Sequence, residues 1–253
     1  MELTASRSDL QKELYMGVAI GPNSALQRTS ARSHVCCFPV LGGGPEAAEL
    51  GTLGVAATIM AHEASLPEQD EPPVLSLGAF RLRPLQASDA VHWSAYLSDP
   101  RVTLHTSWGS TDLATIEQLI HRLRADYATK ASWRWAIARE LDDCLVGVCG
   151  FSSWSTVHRA AELVYDLSPE YWSRGIVTSS VQAVVGWGFS NAGLNRVQAV
   201  VLPSNGPSIV VLNRCGFTQE GLLRQYRIVR GEPRDFLLYS RLRTQPHRSR
   251  RDA

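Results

Sequence analysis

The stretch Glu162-Leu163-Val164-Tyr165-Asp166-Leu167-Ser168-Pro169-Glu170-Tyr171-Trp172-Ser173-Arg174-Gly175-Ile176-Val177-Thr178 decides how this chain is read. A strand ends at Leu167, the chain passes through Pro169, turns tightly around Ser173, Arg174 and Gly175, and at once starts a helix. A strand, a glycine turn and a helix N-terminus put several unpaired backbone N–H groups on one concave surface, backed by the positive end of the helix dipole. That is an anion site: Gly175 lets the backbone approach a phosphate, and Arg174 adds a cation at the same place. It is neither a GK[ST] phosphate loop nor a GxGxxG turn, and a reading in which Gly175 only shapes the turn stands beside it.

Working outward, alternation begins near Leu75, and Leu77 to Leu85 reads as one strand ending at Arg83-Pro84. Ser88-Asp89 supplies an N-cap for a helix stopped before Asp99-Pro100, and Ser110-Thr111-Asp112 opens a second helix whose Leu113, Ile116, Leu119, Ile120 and Leu123 repeat at three and four residues. Strands follow over Trp133 to Arg139, Leu145 to Phe151 and Ala160 to Leu167. Next come a helix from Ile176 to Ala192, a strand from Arg196 to Leu202, a short helix from Pro207 to Arg214, and strands from Phe217 and from Asp235 to Leu242. The order predicts an α+β fold whose sheet contains at least one βαβ crossover.

The 253 residues are unevenly furnished. Only Tyr15 and Phe38 among the aromatic residues precede Phe80, and all seven Trp lie between Trp93 and Trp187. Gly17 to Gly54 is a Gly, Ala, Ser and Pro mixture without period, and Pro67 to Pro73 is charged and Pro-rich. Residues 1–75 are expected to be an extension, with Met60 a plausible alternative initiator, residues 76–243 the domain, and residues 244–253 a basic tail. The tail reads as a solvated, frayed end or as an RNA or ribosome contact.

Net charge of +1 draws the protein to neither nucleic acid nor anionic membrane. The five cysteines lack CxxC spacing or a companion His, which argues against zinc and against a disulfide scaffold and fits a reducing cytoplasm. The longest apolar stretch, Leu50 to Ala61, is too short for a membrane span.

Four features in family order make the chain resemble the GNAT acetyltransferase superfamily, and more closely its RimJ/RimL-like branch of ribosomal-protein-alanine N-acetyltransferases. They are Leu82-Arg83-Pro84-Leu85 with Asp89; Ala161-Glu162-Leu163-Val164-Tyr165; Pro169 to Gly175; and Asn205-Gly206-Pro207-Ser208 followed by Leu212-Asn213-Arg214-Cys215-Gly216-Phe217. The resemblance spans residues 77 to 243. It implies a mixed, mostly antiparallel seven-stranded sheet with about four helices, splayed between the family's fourth and fifth strands, with acetyl-CoA as cosubstrate and no metal.

The same resemblance implies the site. Acetyl-CoA would be held by Tyr165, Asp166 and Leu167 on the splayed strand and by Trp172, Ser173, Arg174, Gly175, Ile176, Val177 and Thr178 in the loop, with Asn205 and Ser208 beyond the next strand. The amide near Leu167 is the candidate oxyanion donor. Glu162 is either a base working through water or a core-edge ion-pair partner; Asn205 and Ser208 either serve the thioester or act as turn and cap residues. The chain departs from the family's [QR]-x-x-G-x-[GA] loop at Trp172 and at Val177, whose bulk would crowd phosphates, and it carries Leu212 where many members have an acid tyrosine.

The implied reaction is attack of a neutral amine on the thioester. An α-amine near pKa 8 is neutralised at pH 7.4 for less than about 1 kcal/mol, a lysine for about 4 kcal/mol. A protein or peptide N-terminus is therefore the favoured acceptor, with a small-molecule amine, or a non-catalytic acyl-CoA-binding domain, as alternatives. Trp133, Trp135 and Trp187 read as core; Trp154 and His158 read as substrate contacts or surface loop. A monomer or a homodimer is expected, with nucleic acid ranking last among partners.

Overall fold

The computed structural model describes residues 70–106 and 109–244. The expectations for residues 1–69, Met60 among them, and for the basic tail from residue 245 lie outside the described residues. The elements are β1 (Leu75–Ser76), β2 (Phe80–Pro84), α1 (Asp89–Leu97), α2 (Pro100–Thr103), α3 (Leu113–Thr129), β3 (Trp133–Arg139), β4 (Leu145–Ser155), β5 (Ala160–Leu167), α4 (Ile176–Ser190), β6 (Arg196–Val201), α5 (Gly206–Arg214), β7 (Thr218–Val229) and β8 (Glu232–Leu242). A single 3-10 turn, Pro169–Tyr171, joins β5 to the loop before α4.

The α+β class and the splayed sheet are as expected, with eight strands in place of seven, in the order β1-β2-β3-β4-β5-β6-β8-β7. The extra strand comes from the segment read as one strand from Leu77 to Leu85. Gly78 takes φ 78°, the left-handed region open to glycine, so the chain reverses there and Leu75–Ser76 pairs antiparallel with Arg81–Leu82. Residues before 76 also touch the sheet, Trp135 Nε1 donating to the Pro73 carbonyl at 2.7 Å. Asp99-Pro100, read as a stop, begins a further turn of helix: Asp99 accepts from the Arg101 N–H at 2.9 Å and Pro100 occupies a first-turn position that needs no N–H.

Alternation along β3 and β4 divides the interior into two layers. Trp133, Trp135, Cys149 and Phe151 face α4, where Trp133 stacks on Trp187 with ring centroids 5.1 Å apart. Ala136, Leu145 and Val148 face α1 and α3. Trp133, Trp135 and Trp187 are therefore core, as expected. Trp154 joins them partly buried, its ring 5.7 Å from that of Trp133; His158 is exposed on the β4–β5 turn.

Beneath α1 lies a buried ion pair. Arg83 donates Nη1 and Nη2 to the two carboxylate oxygens of Asp89 at 2.9 and 2.8 Å, tying β2 to the helix start. Of the Ser88-Asp89 pair read as the N-cap, Ser88 makes no side-chain cap bond. Asp89 instead accepts from the Gln86 N–H at 2.8 Å, so the side chain that secures this end stands one residue later.

The functional feature of the sheet is a break in one ladder. β5 and β6 are parallel neighbours that pair only over Ala160–Arg196, Ala161–Val197 and Glu162–Gln198. Beyond them β5 continues against β4 and β6 against β8, so the two strands diverge from Leu163 onward. The gap opens where the strands feed α4 and α5.

Candidate active site

The cleft in this gap is lined from β5 by Leu163, Val164, Tyr165 and Asp166, from β6 by Ala199, Val200 and Val201, and from the α5 side by Asn205, Ser208 and Leu212. Ser168 N–H donates to Val146 O at 2.8 Å. Bonded positions alternate in an antiparallel ladder, so Tyr165 and Leu167 turn their N–H groups away from β4 and into the gap. An extended chain laid there meets a row of strand amides.

At the end of β5 the loop takes the shape that its glycine announced. Ser173 and Gly175 hold φ 60° and 77° on either side of Arg174, and the first N–H groups of α4 have no helical acceptors. A Cβ at Gly175 would meet nothing within 4 Å, so the dihedral angle, not crowding, calls for glycine and the space beside it is open. Two guanidinium groups attend the loop: Arg174 lies 5.3 Å from the centre of the Tyr171 ring, and Arg101 lies 5.8 Å from that of Trp172. Val177 packs partly buried against the core and Ile176 is buried, so both β-branched side chains are drawn toward the sheet. Thr178 gives its carbonyl to Cys215 Sγ at 3.6 Å. Trp172, in place of the family's Gln or Arg, donates its indole N–H to the Leu167 carbonyl at 2.8 Å and so ties loop to strand end.

Asn205 caps α5, its Oδ1 accepting from Ser208 N–H at 3.2 Å, while Tyr165 donates its hydroxyl to the Ser208 carbonyl at 3.3 Å. Both Asn205 and Ser208 remain on the cleft wall. Leu212 is 1% exposed and closes the end of the cleft as an apolar plug.

Glu162 shares a face of β5 with Val164 and Asp166, but it stands where β5 and β6 are still paired. Arg227 Nη2 donates to its Oε1 at 2.7 Å, with both side chains largely buried. Of the two roles open to Glu162 in the sequence, this geometry displays the ion-pair partner.

Sequence reasoning did not single out Tyr96, His105, Arg134 or Arg227. Arg134 and Arg227 line the cleft with His105, and Tyr96 donates its hydroxyl to Asp166 Oδ1. Burial lifts the Asp166 carboxyl to about 6, against the pull of the Tyr96 hydrogen bond and the Arg134 charge. Burial likewise depresses Arg134 and pushes the Tyr96 hydroxyl well above its ordinary value. A sequence signal existed for two of these. Arg134 interrupts the apolar strand Trp133 to Ile137, and Tyr96 lies on the buried stripe of α1, where a hydroxyl needs a partner.

The far side of the cleft is roofed by the segment after α2. Arg230, in the β7–β8 turn, donates to the Thr103 carbonyl at 3.2 Å, and His105 Nδ1 lies 3.3 Å from Ser204 Oγ.

A family model described as an acetyltransferase (GNAT) domain matches residues 80–218, more than half of the chain. The chain belongs to the GNAT acetyltransferases. The YoaA protein of Bacillus subtilis (strain 168), described as an uncharacterized N-acetyltransferase, is 36% identical over 171 residues, which are 66% of this chain and 96% of that protein. Mycobacterium smegmatis RimJ in complex with CoA-disulfide superposes with a TM-score of 0.63 at 26% identity, over 70% of this chain and 90% of that one. The ribosomal-protein-S5-alanine acetyltransferase of Vibrio fischeri does so with a TM-score of 0.63 at 22% identity, over 69% and 100%, a likeness of fold.

As a GNAT acetyltransferase the protein is an enzyme that acetylates amines with acetyl-CoA as donor. Its residues fit that donor: the outward amides of Tyr165 and Leu167 match an amide-bearing arm, and the loop from Ser173 to Thr178 matches a pyrophosphate. No group of three or more His, Cys, Asp or Glu side chains among the described residues could hold a metal ion. Nor is any helix among them long and apolar enough to cross a membrane.

Proposed function

We propose that this acetyltransferase acts on the α-amine of a protein or peptide N-terminus. The observation that carries the reading is the scarcity of acidic groups in the cleft: among the described residues Asp166 is the one carboxylate of its lining and has Arg134 beside it, while Arg227 is taken up by Glu162. Such a lining offers no acidic groups to the further cations that a polyamine brings beside its reacting amine, and suits an amine followed by neutral groups. An α-amine also asks least of the site, because its neutral form is cheap near pH 7.

In this reading the Leu167 N–H takes the oxyanion, the row of amides on β5 orients the thioester arm, and the α4 loop holds the phosphates. Asn205 and Ser208 fix the wall against which the thioester lies. The free thiols of Cys144, Cys149 and Cys215 support a reducing, cytoplasmic setting.

Thiol release from acetyl-CoA, measured with N-terminal peptides, small amines and spermidine, tests the proposal. Peptides with kcat/KM at least tenfold above spermidine are the expected result; a preference for spermidine or for a small amine overturns it. The buried Leu212 at the family's acid position favours a second reading, an acyl-CoA-binding domain without turnover. Acetyl-CoA binding with no transfer to any acceptor supports that reading.

A further inference from the structure

We propose that Asp166, oriented by Tyr96, is the catalytic base that takes a proton from the acceptor's ammonium group. The inference rests on the acetyltransferase reading above and names the residue that makes its amine reactive.

Two carboxylates lie on the same face of β5. Glu162 is held by Arg227 Nη2 at 2.7 Å in the still-paired part of the sheet and does not line the cleft. Asp166 lines the cleft one residue before Leu167, whose N–H points into the gap, so proton acceptor and oxyanion donor are consecutive in the chain. The Tyr96 hydroxyl occupies Asp166 Oδ1, and Tyr96 is itself 8% exposed on α1. One oxygen is thereby anchored by a rigid partner.

Four groups act on the Asp166 carboxyl, the Tyr96 hydroxyl and the Trp93 indole from α1, Arg134 from β3 and the Val148 N–H from β4; the other titratable groups nearby are Cys149 on β4, Asp89 behind Tyr96 and, across the cleft, His105 and Arg227. Burial raises the carboxyl to about 6, and Tyr96, Arg134, Trp93 and the Val148 N–H keep it from rising further. Proton transfer from an α-amine near 8 is then uphill by about a hundredfold, compared with about ten-thousandfold for an ordinary aspartate. Asp166 is still ionised at neutral pH, as a base must be.

Asp166 takes one proton from the R–NH3+ acceptor, and the nitrogen lone pair so freed forms the C–N bond to the acetyl carbon while the carbonyl pair moves to oxygen. That pair returns as the C–S bond breaks. The sulfur leaves with its bonding pair and takes up the second proton lost by nitrogen, and Asp166 returns the first to solvent. The products are the amide, the thiol and one proton.

The test uses the full chain and the variants D166N and Y96F, with kcat measured by thiol release from pH 5 to 9, acetyl-CoA affinity by calorimetry, and the Asp166 carboxyl followed by infrared difference spectroscopy. The expected result is a wild-type kcat that rises with pH through a limb near 6, matched by loss of a protonated-carboxyl band that D166N lacks. D166N lowers kcat by about 10²- to 10⁴-fold and removes the limb, a loss larger than any change it makes in acetyl-CoA affinity. Y96F, deprived of the bond that holds the carboxyl down, moves the limb upward. A limb that persists in D166N, a kcat within threefold of wild type, or a band that titrates near 4 overturns the role of Asp166 alone. A wild type silent on every amine overturns the acetyltransferase reading and this role with it. If D166N does not fold, an unmoved limb in Y96F overturns the proposal.

Discussion

Arg227, on the outermost strand β7, reaches across the face of the sheet to donate to Glu162 on β5 at 2.7 Å, although β6 and β8 stand between the two strands. Both side chains are largely buried, so removing one partner strands a charge away from water. Glu162→Ala is expected to lower stability by about 3 kcal/mol, read as a shift in denaturation midpoint. The double variant E162M/R227M is expected to recover most of that loss. A Glu162 whose only service were to the reacting amine would leave the midpoint where it is.

Gly175 holds φ 77° in open space. Gly175→Ala places an L side chain in the left-handed region, a cost of about 1–2 kcal/mol, and sets a methyl in the open space proposed to take the phosphates. The expected outcome is a roughly tenfold rise in KM for acetyl-CoA with little change in KM for the acceptor. Equal rises in both would contradict a role confined to the donor.

The Trp172 indole closes the loop onto the Leu167 carbonyl at 2.8 Å. Trp172→Phe keeps the ring under Arg101 and deletes only the donor, leaving the carbonyl unsatisfied at a cost of about 1 kcal/mol. Acetyl-CoA affinity measured by calorimetry should fall about fivefold.

Glu220 receives Arg196 Nη1 at 2.8 Å and Ser240 Oγ at 2.6 Å, which hold its carboxyl down to about 2. A depressed carboxyl contributes stability that is complete above its unfolded value of about 4.3 and is lost as pH falls toward 2. Denaturation at pH 2 to 5 should show E220Q flattening this part of the acid limb. Because the pair is partly exposed, the difference stays below about 1 kcal/mol.

Much of this was legible beforehand because it is written in local physics. The apolar repeat of Ile116, Leu119, Ile120 and Leu123 needs only a helix to become a buried stripe, and Asp112 caps that helix by accepting from Thr115 N–H at 2.9 Å. The strand, turn and helix around Gly175 followed from one backbone requirement and one dipole. Local reading failed where neighbours decide. Gly78 turned one expected strand into a hairpin, the Ser88-Asp89 pair secured its helix through Asp89 reaching back to the Gln86 N–H, and Trp154 joined an aromatic layer assembled from β3, β4 and α4.

The sequence by itself determined the order of most elements, the α+β class and the strand, turn and helix around Gly175, because each depends on periodicity, on a dihedral angle or on residues adjacent in the chain; the splay of the sheet was implied by the family resemblance. Only the tertiary structure decided which carboxylate is occupied and which faces the cleft. Glu162 meets Arg227 65 positions away, and Asp166 meets Tyr96 at a separation of 70. Those pairings exist only once the strand order and the divergence of β5 from β6 have brought distant residues within hydrogen-bonding reach, and no spacing along the chain encodes that distance.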